Sequence, residues 1–416
     1  MNMLKSMYRI LVLCLLAYLT ACSYDTDKNS DVITIDLLEA LNNTKTLNLS
    51  ELVDEVEYVK FETTPDCSFG LARYLITDNY IIVYEQYNPK IYIFDRNGKY
   101  IRKFGKEGNG PGELSIIENI IVFPAEDYLI VHDLSFRKII KYRFNGEFLE
   151  EKKFTVQGGN DLAGISMIGP ERFAILFKRP VTEHNNYPLI QICNKSFEIV
   201  EKLYNVNSSS SEGAYSSKRH SFYIKNDNIH FREYFFDTLK EYNGEVFIPK
   251  YHFFIKDNRP ASYAQDRSSP PQFNEIWQQF EIGKYIVCNL DMPGEEEDEI
   301  IGKWIFFDKQ NQKMFTLTEL PWYIRESSLE PAIYNNIDGI FHVYMNDYTN
   351  HLKTHVTEDL IYKATDIIDL KTYIENNHQS DHEVIFPEKQ KELIDMIKNS
   401  SENDNPILQI FHIKTD

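Results

Sequence analysis

The stretch Ile91-Tyr-Ile-Phe-Asp-Arg-Asn-Gly-Lys-Tyr-Ile-Arg-Lys-Phe-Gly-Lys-Glu-Gly-Asn-Gly-Pro-Gly-Glu113 decides the fold. A strand-like run, Lys90–Phe94, meets a tight turn at Asp95–Gly98, and a second run, Lys99–Phe104, returns from it. Asn-Gly at the tip supplies residues that tolerate the positive φ of a short hairpin. A glycine-rich loop, Gly105–Glu113, then leads into further β-type sequence. The hairpin recurs as Ile140-Lys-Tyr-Arg-Phe-Asn-Gly-Glu-Phe-Leu149, with Gly98 and Gly146 at matching turn positions 48 residues apart. A unit of that length, made of short strands, cannot bury its apolar faces alone. Its copies must stack, which predicts the blades of a β-propeller.

Working outward, strands come in fours. The first set is Leu71–Ile76, Tyr80–Tyr84, Lys90–Phe94 and Tyr100–Phe104; the second is Ile116–Phe123, Tyr128–His132, Lys138–Arg143 and Glu147–Phe154. The third is Leu162–Ile168, Arg172–Phe177, Pro188–Cys193 and Glu198–Tyr204; the fourth is His220–Ile224, Asn228–Arg232, Thr238–Tyr242 and Glu245–Tyr251. Glu275–Glu281, Lys284–Leu290, Lys303–Asp308 and Lys313–Leu317 make the fifth, and Ala332–Asn336 with Ile340–Tyr344 begin a sixth. Leu360–Asn377 and Glu388–Asn399 carry helical apolar spacing, with Pro387 suited to a first helical position. The strand Ile407–Lys414 and the alternating strand Val56–Glu62 are left to complete the last set. The expectation is an all-β fold: a six-bladed β-propeller of four-stranded antiparallel blades over 56–414, closed by its N- and C-terminal strands. A partly helical insertion, 346–405, lies in the last blade.

The N-terminus reads as targeting sequence. Lys5 and Arg9 precede the apolar run Ile10–Leu19, which is too short to span a bilayer and ends in Leu19-Thr-Ala-Cys22. That ending resembles a bacterial lipobox, so 1–22 is expected to be a lipoprotein signal with Cys22 lipidated. Residues 23–55 follow as tether and lead-in; Ser23–Asp31 is acidic and turn-rich. Of five cysteines, Cys67, Cys193 and Cys288 remain beyond the leader, widely spaced and odd in number, so neither a disulfide framework nor zinc spacing is present. The formal net charge of -19 makes nucleic acid a poor partner.

The chain resembles the six-bladed β-propeller lipoproteins of Bacteroidetes, related to NHL-like and TolB-like propellers. The resemblance rests on Val56–Thr64, the Phe94–Gly98 hairpin, Gly108-Asn-Gly-Pro-Gly-Glu113 and Asp404-Asn-Pro-Ile407. It runs from about Val56 to Lys414 and is strongest in the first two blades; Lys195-Ser-Phe and Lys309-Gln-Asn-Gln depart from the turn pattern. The resemblance implies an outer-membrane lipoprotein of the cell envelope, facing the periplasm or the cell surface, and brings no catalytic motif with it.

In a propeller the first-to-second and third-to-fourth strand turns share one face, and the other connections share the opposite face. Here the first group is short, whereas the second holds Gly105–Ser115, Lys178–Tyr187, Asn205–Arg219, His252–Asn274, Asp291–Gly302 and Asn346–Asn405. Loops held by a rigid scaffold usually carry binding. The second strand of each set ends on that elaborated face, and five of the six ends bear a carboxylate: Glu85, Asp133 (after His132), Glu233, Asp291 and Asp347. Such a ring suits a calcium ion or cationic ligand; equally, polar residues simply begin loops in an acidic chain. Arg137 and Arg179, with Arg219, suit a carboxylate or phosphate or local acids. His184, His220 and His252 lack metal-motif spacing. The run Glu295–Glu299 reads as a solvated loop tip. Neither a Gly-x-Ser-x-Gly nor a His-Glu-x-x-His motif occurs. The function expected is a non-catalytic binding or scaffold module for a protein, peptide or glycan; the alternative is a glycan-active hydrolase or lyase using channel carboxylates.

Overall fold

Runs such as Tyr80-Ile-Ile-Val-Tyr84 and Tyr128-Leu-Ile-Val131 are apolar without alternation. A strand of that kind must be covered on both faces of its sheet. The computed structural model describes residues 32–153, 162–177, 188–204, 221–232, 237–255, 275–294, 299–322, 325–345, 354–357, 359–376 and 384–414. In it the second strands Tyr80–Glu85 and Tyr128–Asp133 are buried along nearly their whole length, whereas the outermost strands Tyr100–Phe104 and Phe148–Lys153 have no buried residue and expose half or more of theirs.

Among the described residues the strands form seven sheets. The first four sequence-predicted sets each make one antiparallel sheet in chain order, within Ala72–Phe104, Ile117–Lys153, Leu162–Tyr204 and Ser221–Phe254. The fifth set does the same within Glu275–Leu317. Successive sheets pack face to face. Ile82, Ile93, Leu129 and Ile140 join the first to the second, and Ile130, Ile139, Ile165 and Ile175 the second to the third. Ala174, Ile192, Ile229 and Phe231 continue the series, followed by Leu239, Phe253, Ile286 and Ile305. One large cluster then spans the fifth, sixth and seventh sheets, and Ile81, Val83, Leu408 and Ile410 pack the seventh against the first. The first strands of the second to fifth sheets lie side by side.

The predicted sixth set is corrected. Ala332–Asn336 and Ile340–Tyr344 do not pair with the terminal strands. They belong to a three-stranded sheet of Glu319–Trp322, Arg325–Ile333 and Val343–Tyr344. A separate seventh sheet orders Thr354–Val356, Leu360–Thr365, Ile407–Ile413 and Val53–Lys60, with Gln409 opposite Tyr58. Leu360–Thr365 is therefore a strand where helical spacing was expected. Ile361 faces the large cluster and Tyr362 faces the first sheet; six residues apolar on both sides imitate helix periodicity. The helices are Ile367–Asn376 and Pro387–Lys398, the latter with its proline in the first turn.

The lead-in is built into the fold. Ile33–Asp36 adds a parallel fifth strand outside the fourth sheet, and Thr44–Lys45 does so outside the fifth. Asn48 then bridges Tyr334 beside the sixth sheet, and the chain enters the seventh. Asp36 caps the short helix Leu37–Ala40, its Oδ1 accepting from the Leu38 and Glu39 amides at 3.0 and 3.2 Å. Ile35, Leu37, Ala40, Leu47 and Leu49 are wholly buried. The leader and Ser23–Asp31 lie outside the described residues.

Polar contacts fasten the seventh sheet to the first. Asn405 donates through Nδ2 to the Glu62 and Cys67 carbonyls at 2.8 and 2.9 Å and accepts from the Phe69 amide at 3.2 Å. Arg96 pairs with Glu57 at 2.7 Å. Gly98 has φ +80°, and a Cβ there would stand 2.3 Å from the Lys60 carbonyl oxygen, so only glycine fits.

Between the fourth and fifth sheets, the nearly buried Glu281 accepts from Lys225 at 2.9 Å, Lys309 at 2.7 Å and Tyr223 at 3.1 Å. Burial raises its carboxyl, but the two lysines outweigh burial and hold it below the ordinary value of 4.5. A depressed carboxyl contributes stability that is present above the unfolded-chain value and lost as pH falls through the folded one.

Two outcomes follow for urea and thermal unfolding. Ile35→Ala and Leu47→Ala are each expected to cost about 2–5 kcal/mol, as for core truncations; a loss under ~1 kcal/mol would mean the lead-in is not integral. Glu281→Gln is expected to lower the melting temperature at pH 7, with the gap to the parent shrinking below pH 4.5.

Candidate functional site

The first strand of each sheet begins on the elaborated face, and polar residues near those beginnings face the next sheet. Arg73 in Ala72–Ile76 donates to the Glu118 carbonyl and, at 3.0 Å, to Gln86 Oε1; Gln86 Nε2 donates to Glu118 Oε2 at 3.1 Å. Asn119 Nδ2 reaches the Ile165 carbonyl of the third sheet at 2.6 Å, and its Oδ1 stands 3.3 Å from His132 Nδ1. Arg232, 1% exposed, donates to the Ile276 carbonyl at 2.9 Å and to Gln279 Oε1. Three junctions between neighbouring sheets are thus bridged by a cation or amide reaching a first-strand carbonyl. Buried polar groups of this kind are satisfied by their neighbours. Arg73, Gln86, Glu118 and Asn119 escaped sequence reasoning. Their only signal is a polar residue beside an apolar strand.

The residues expected to line this face divide into two groups. Glu85 is buried and committed: Oε1 accepts from the Gly70 amide at 3.0 Å, and Oε2 from Asn88 at 2.9 Å and Tyr92 at 3.2 Å. Burial, then Glu85, raises the Tyr92 phenol. Asp133, wholly buried, holds its own loop, accepting from the Ser115 amide at 2.6 Å and the Phe136 amide at 3.0 Å. His132 is wholly buried beside it, and exposed Arg137 occupies the left-handed region at φ +52°. Asp291 is half-buried inside the strand Tyr285–Pro293, which pairs with Ile300–Asp308. The loop expected over Asp291–Gly302 is therefore mostly a longer hairpin. Arg179, His184, Glu233, Asp347 and Cys22, the expected lipidation site, lie outside the described residues, as do Arg219, His220 and 295–298. Among the described residues no three His, Cys, Asp or Glu side chains come together as a metal site.

The glycine-rich loop is pinned from below. Lys138, fully buried, donates to the Gly110 carbonyl at 3.3 Å and to Glu151 at 3.0 Å; Glu151 also accepts from the Gly112 amide at 3.2 Å. Tyr142 donates to the Gly112 carbonyl at 2.7 Å, and Glu113 accepts from the Gly110 amide at 2.8 Å. A carboxylate of the chain itself occupies the amides that a phosphate cradle would offer, so the loop is a docked connection.

The thiols of Cys67, Cys193 and Cys288 are buried and free. Burial pushes Cys193 up to about 11 and Cys288 up to about 12, so neither is an activated nucleophile. Among the described residues no helix is long and apolar enough to cross a membrane.

These features define an all-β protein of successive antiparallel sheets with inter-sheet polar ties on one face and elaborated connections around them. The chain belongs to the family described as "Domain of unknown function (DUF4934)", whose model matches residues 32–412. It is similar in fold to the "Putative exported protein (BF0058)" of Bacteroides fragilis NCTC 9343. The two share 15% identity over 92% of this chain and 100% of that one, with a TM-score of 0.59. A DUF4221 family member from Bacteroides vulgatus ATCC 8482 aligns at 11% identity over 88% and 98% of the two chains, with a TM-score of 0.48. No curated protein matches.

Lys138→Met should strand Glu151 beneath the loop, at a cost of about 3–5 kcal/mol as for a broken buried pair. Hydrogen exchange should show faster exchange at the Gly110 and Gly112 amides than in the parent; unchanged protection there would show that Lys138 does not hold the loop.

Proposed function

We propose that the protein is an envelope lipoprotein that serves as a non-catalytic binding or scaffold module. In this reading the seven sheets are the blades of one closed propeller, one more than the repeat count suggests. The chain is held at the outer membrane by lipid on Cys22. The elaborated connections take a protein, peptide or glycan.

The observation that carries the reading is the commitment of polar side chains at the elaborated face. Arg73, Asn119 and Arg232 hold neighbouring sheets together, and Glu85 and Asp133 hold loops. Acid–base chemistry needs carboxyl groups converging on a shared space, and these two are each engaged by neighbouring amides and side chains. Ligand contacts then fall to the connections. The name of the Bacteroides fragilis relative as an exported protein agrees with an envelope location.

Cys22→Ala is expected to move the protein from the membrane fraction to the soluble fraction; continued membrane retention would refute the anchor. A thermal-shift series on residues 32–416 with calcium, EDTA, oligosaccharides and peptides tests the ligand class, because whatever binds the native state raises its melting temperature. A shift with a peptide or oligosaccharide, unaffected by EDTA, is expected. A calcium-dependent shift accompanied by glycan cleavage would replace this reading with the hydrolase or lyase alternative.

A further inference from the structure

The described chain begins on the outer rim of the fourth sheet, where Ile33 lies opposite Tyr251. Val32 there is 39% exposed. Val246, in the turn that opens the partner strand Phe247–Phe254, is 58% exposed, and Ile199 and Val200 on the outermost strand of the third sheet are 39% and 53% exposed. These positions belong to one region: Tyr242, just before that turn, donates to Glu201, next to Val200, and Leu203 packs with Tyr242 and Phe247. The outermost strand of the first sheet exposes only Ile101 among large apolar residues, and that of the second only Phe148, which lies against Gly112. The outer edge of the fifth sheet is covered by Thr44–Lys45. Exposed large apolar residues also occur elsewhere, at Tyr87, Ile300, Leu329 and Ile368, but of the outer edges compared, that of the third and fourth sheets carries the most.

Nine residues lie between Cys22 and Val32. The ten Cα–Cα steps from Cys22 to Val32 reach ~35 Å at most. Anything that holds Cys22 holds this rim at the same distance. An acyl anchor gains from a second, weak contact, and at such separation the second contact acts intramolecularly. With a net charge of -19 the protein gains nothing from anionic headgroups, so the second contact is apolar.

We propose that the outer rim of the third and fourth sheets, formed by Ile199, Val200, Val246 and Val32, rests on the lipid surface and sets the propeller edge-on to the membrane. The inference rests on the Cys22 anchor. Edge-on seating leaves the elaborated face open sideways to partners in the same plane.

The test uses the full lipidated chain in phosphatidylethanolamine vesicles containing brominated acyl chains. An environment-sensitive fluorophore is placed on Val200→Cys or Val246→Cys, with Ile101→Cys as the reporter on the first sheet's edge. Flotation with the vesicles reports the anchor alone. The expected result is flotation, with fluorescence lost at 200 and 246 and retained at 101. Flotation with equal quenching at all three positions, or with none, overturns the rim contact and leaves the anchor standing. Failure to float overturns both. Loss of quenching at 200 and 246 as concentration rises, with a doubled mass in detergent, would give the rim to a second copy of the chain and also overturn the proposal.

Discussion

Everything in this structure depends on sheets that are apolar on both faces. In the second strand of the first sheet, Ile81 and Val83 turn toward the seventh sheet while Ile82 and Tyr84 turn toward the second. Each sheet needs a cover on either side, and the seventh sheet packs against the first. Residues far apart in the chain are therefore forced together. Val53–Lys60 must lie beside Ile407–Ile413, and the turn at Gly98 must sit against Lys60. The polar residues at that seam then have their work defined for them. Asn405 reaches three main-chain groups of the opposite end of the chain, replacing hydrogen bonds that no ladder supplies there.

The same demand explains the lead-in. Outer strands such as Phe247–Phe254 and Met314–Leu317 would otherwise present open edges. The segment from Ile33 to Asn48 covers these two in turn before reaching the seventh sheet. Its leucines and isoleucine fill gaps between neighbouring sheets at the rim, where strands splay apart. It acts as a strap, yet it contributes to the core like any central strand.

How far this could be read from sequence follows from the strength of each local signal. The first five strand sets are legible because each strand is long enough to show its apolar pattern and each short turn carries its own chemistry, as at Asn97-Gly98 and Asn145-Gly146. Ile33–Asp36 and Thr44–Lys45 are too short for any periodicity, and parallel addition at an edge leaves no turn residue as a marker. The sixth and seventh sheets merged in the reading because Leu360–Thr365, buried on both sides, has no period of its own. For the site, the residue types were legible and their roles were not. Glu85 and Asp133 stand where expected, but a sequence does not say that the amides of Gly70, Ser115 and Phe136 have already claimed them.

That difference bears on where recognition can reside. A carboxylate that accepts two or three hydrogen bonds while buried cannot be turned toward a ligand without leaving main-chain donors unsatisfied, at about 1–3 kcal/mol for each group. Arg232 carries a steeper penalty because a charge is involved. The inner ends of the sheets are therefore poor places for affinity to evolve. Connections between strands generally vary at less cost to a fold than the strands themselves. In the binding role proposed above, polar groups spent on holding sheets together leave specificity to the connecting loops.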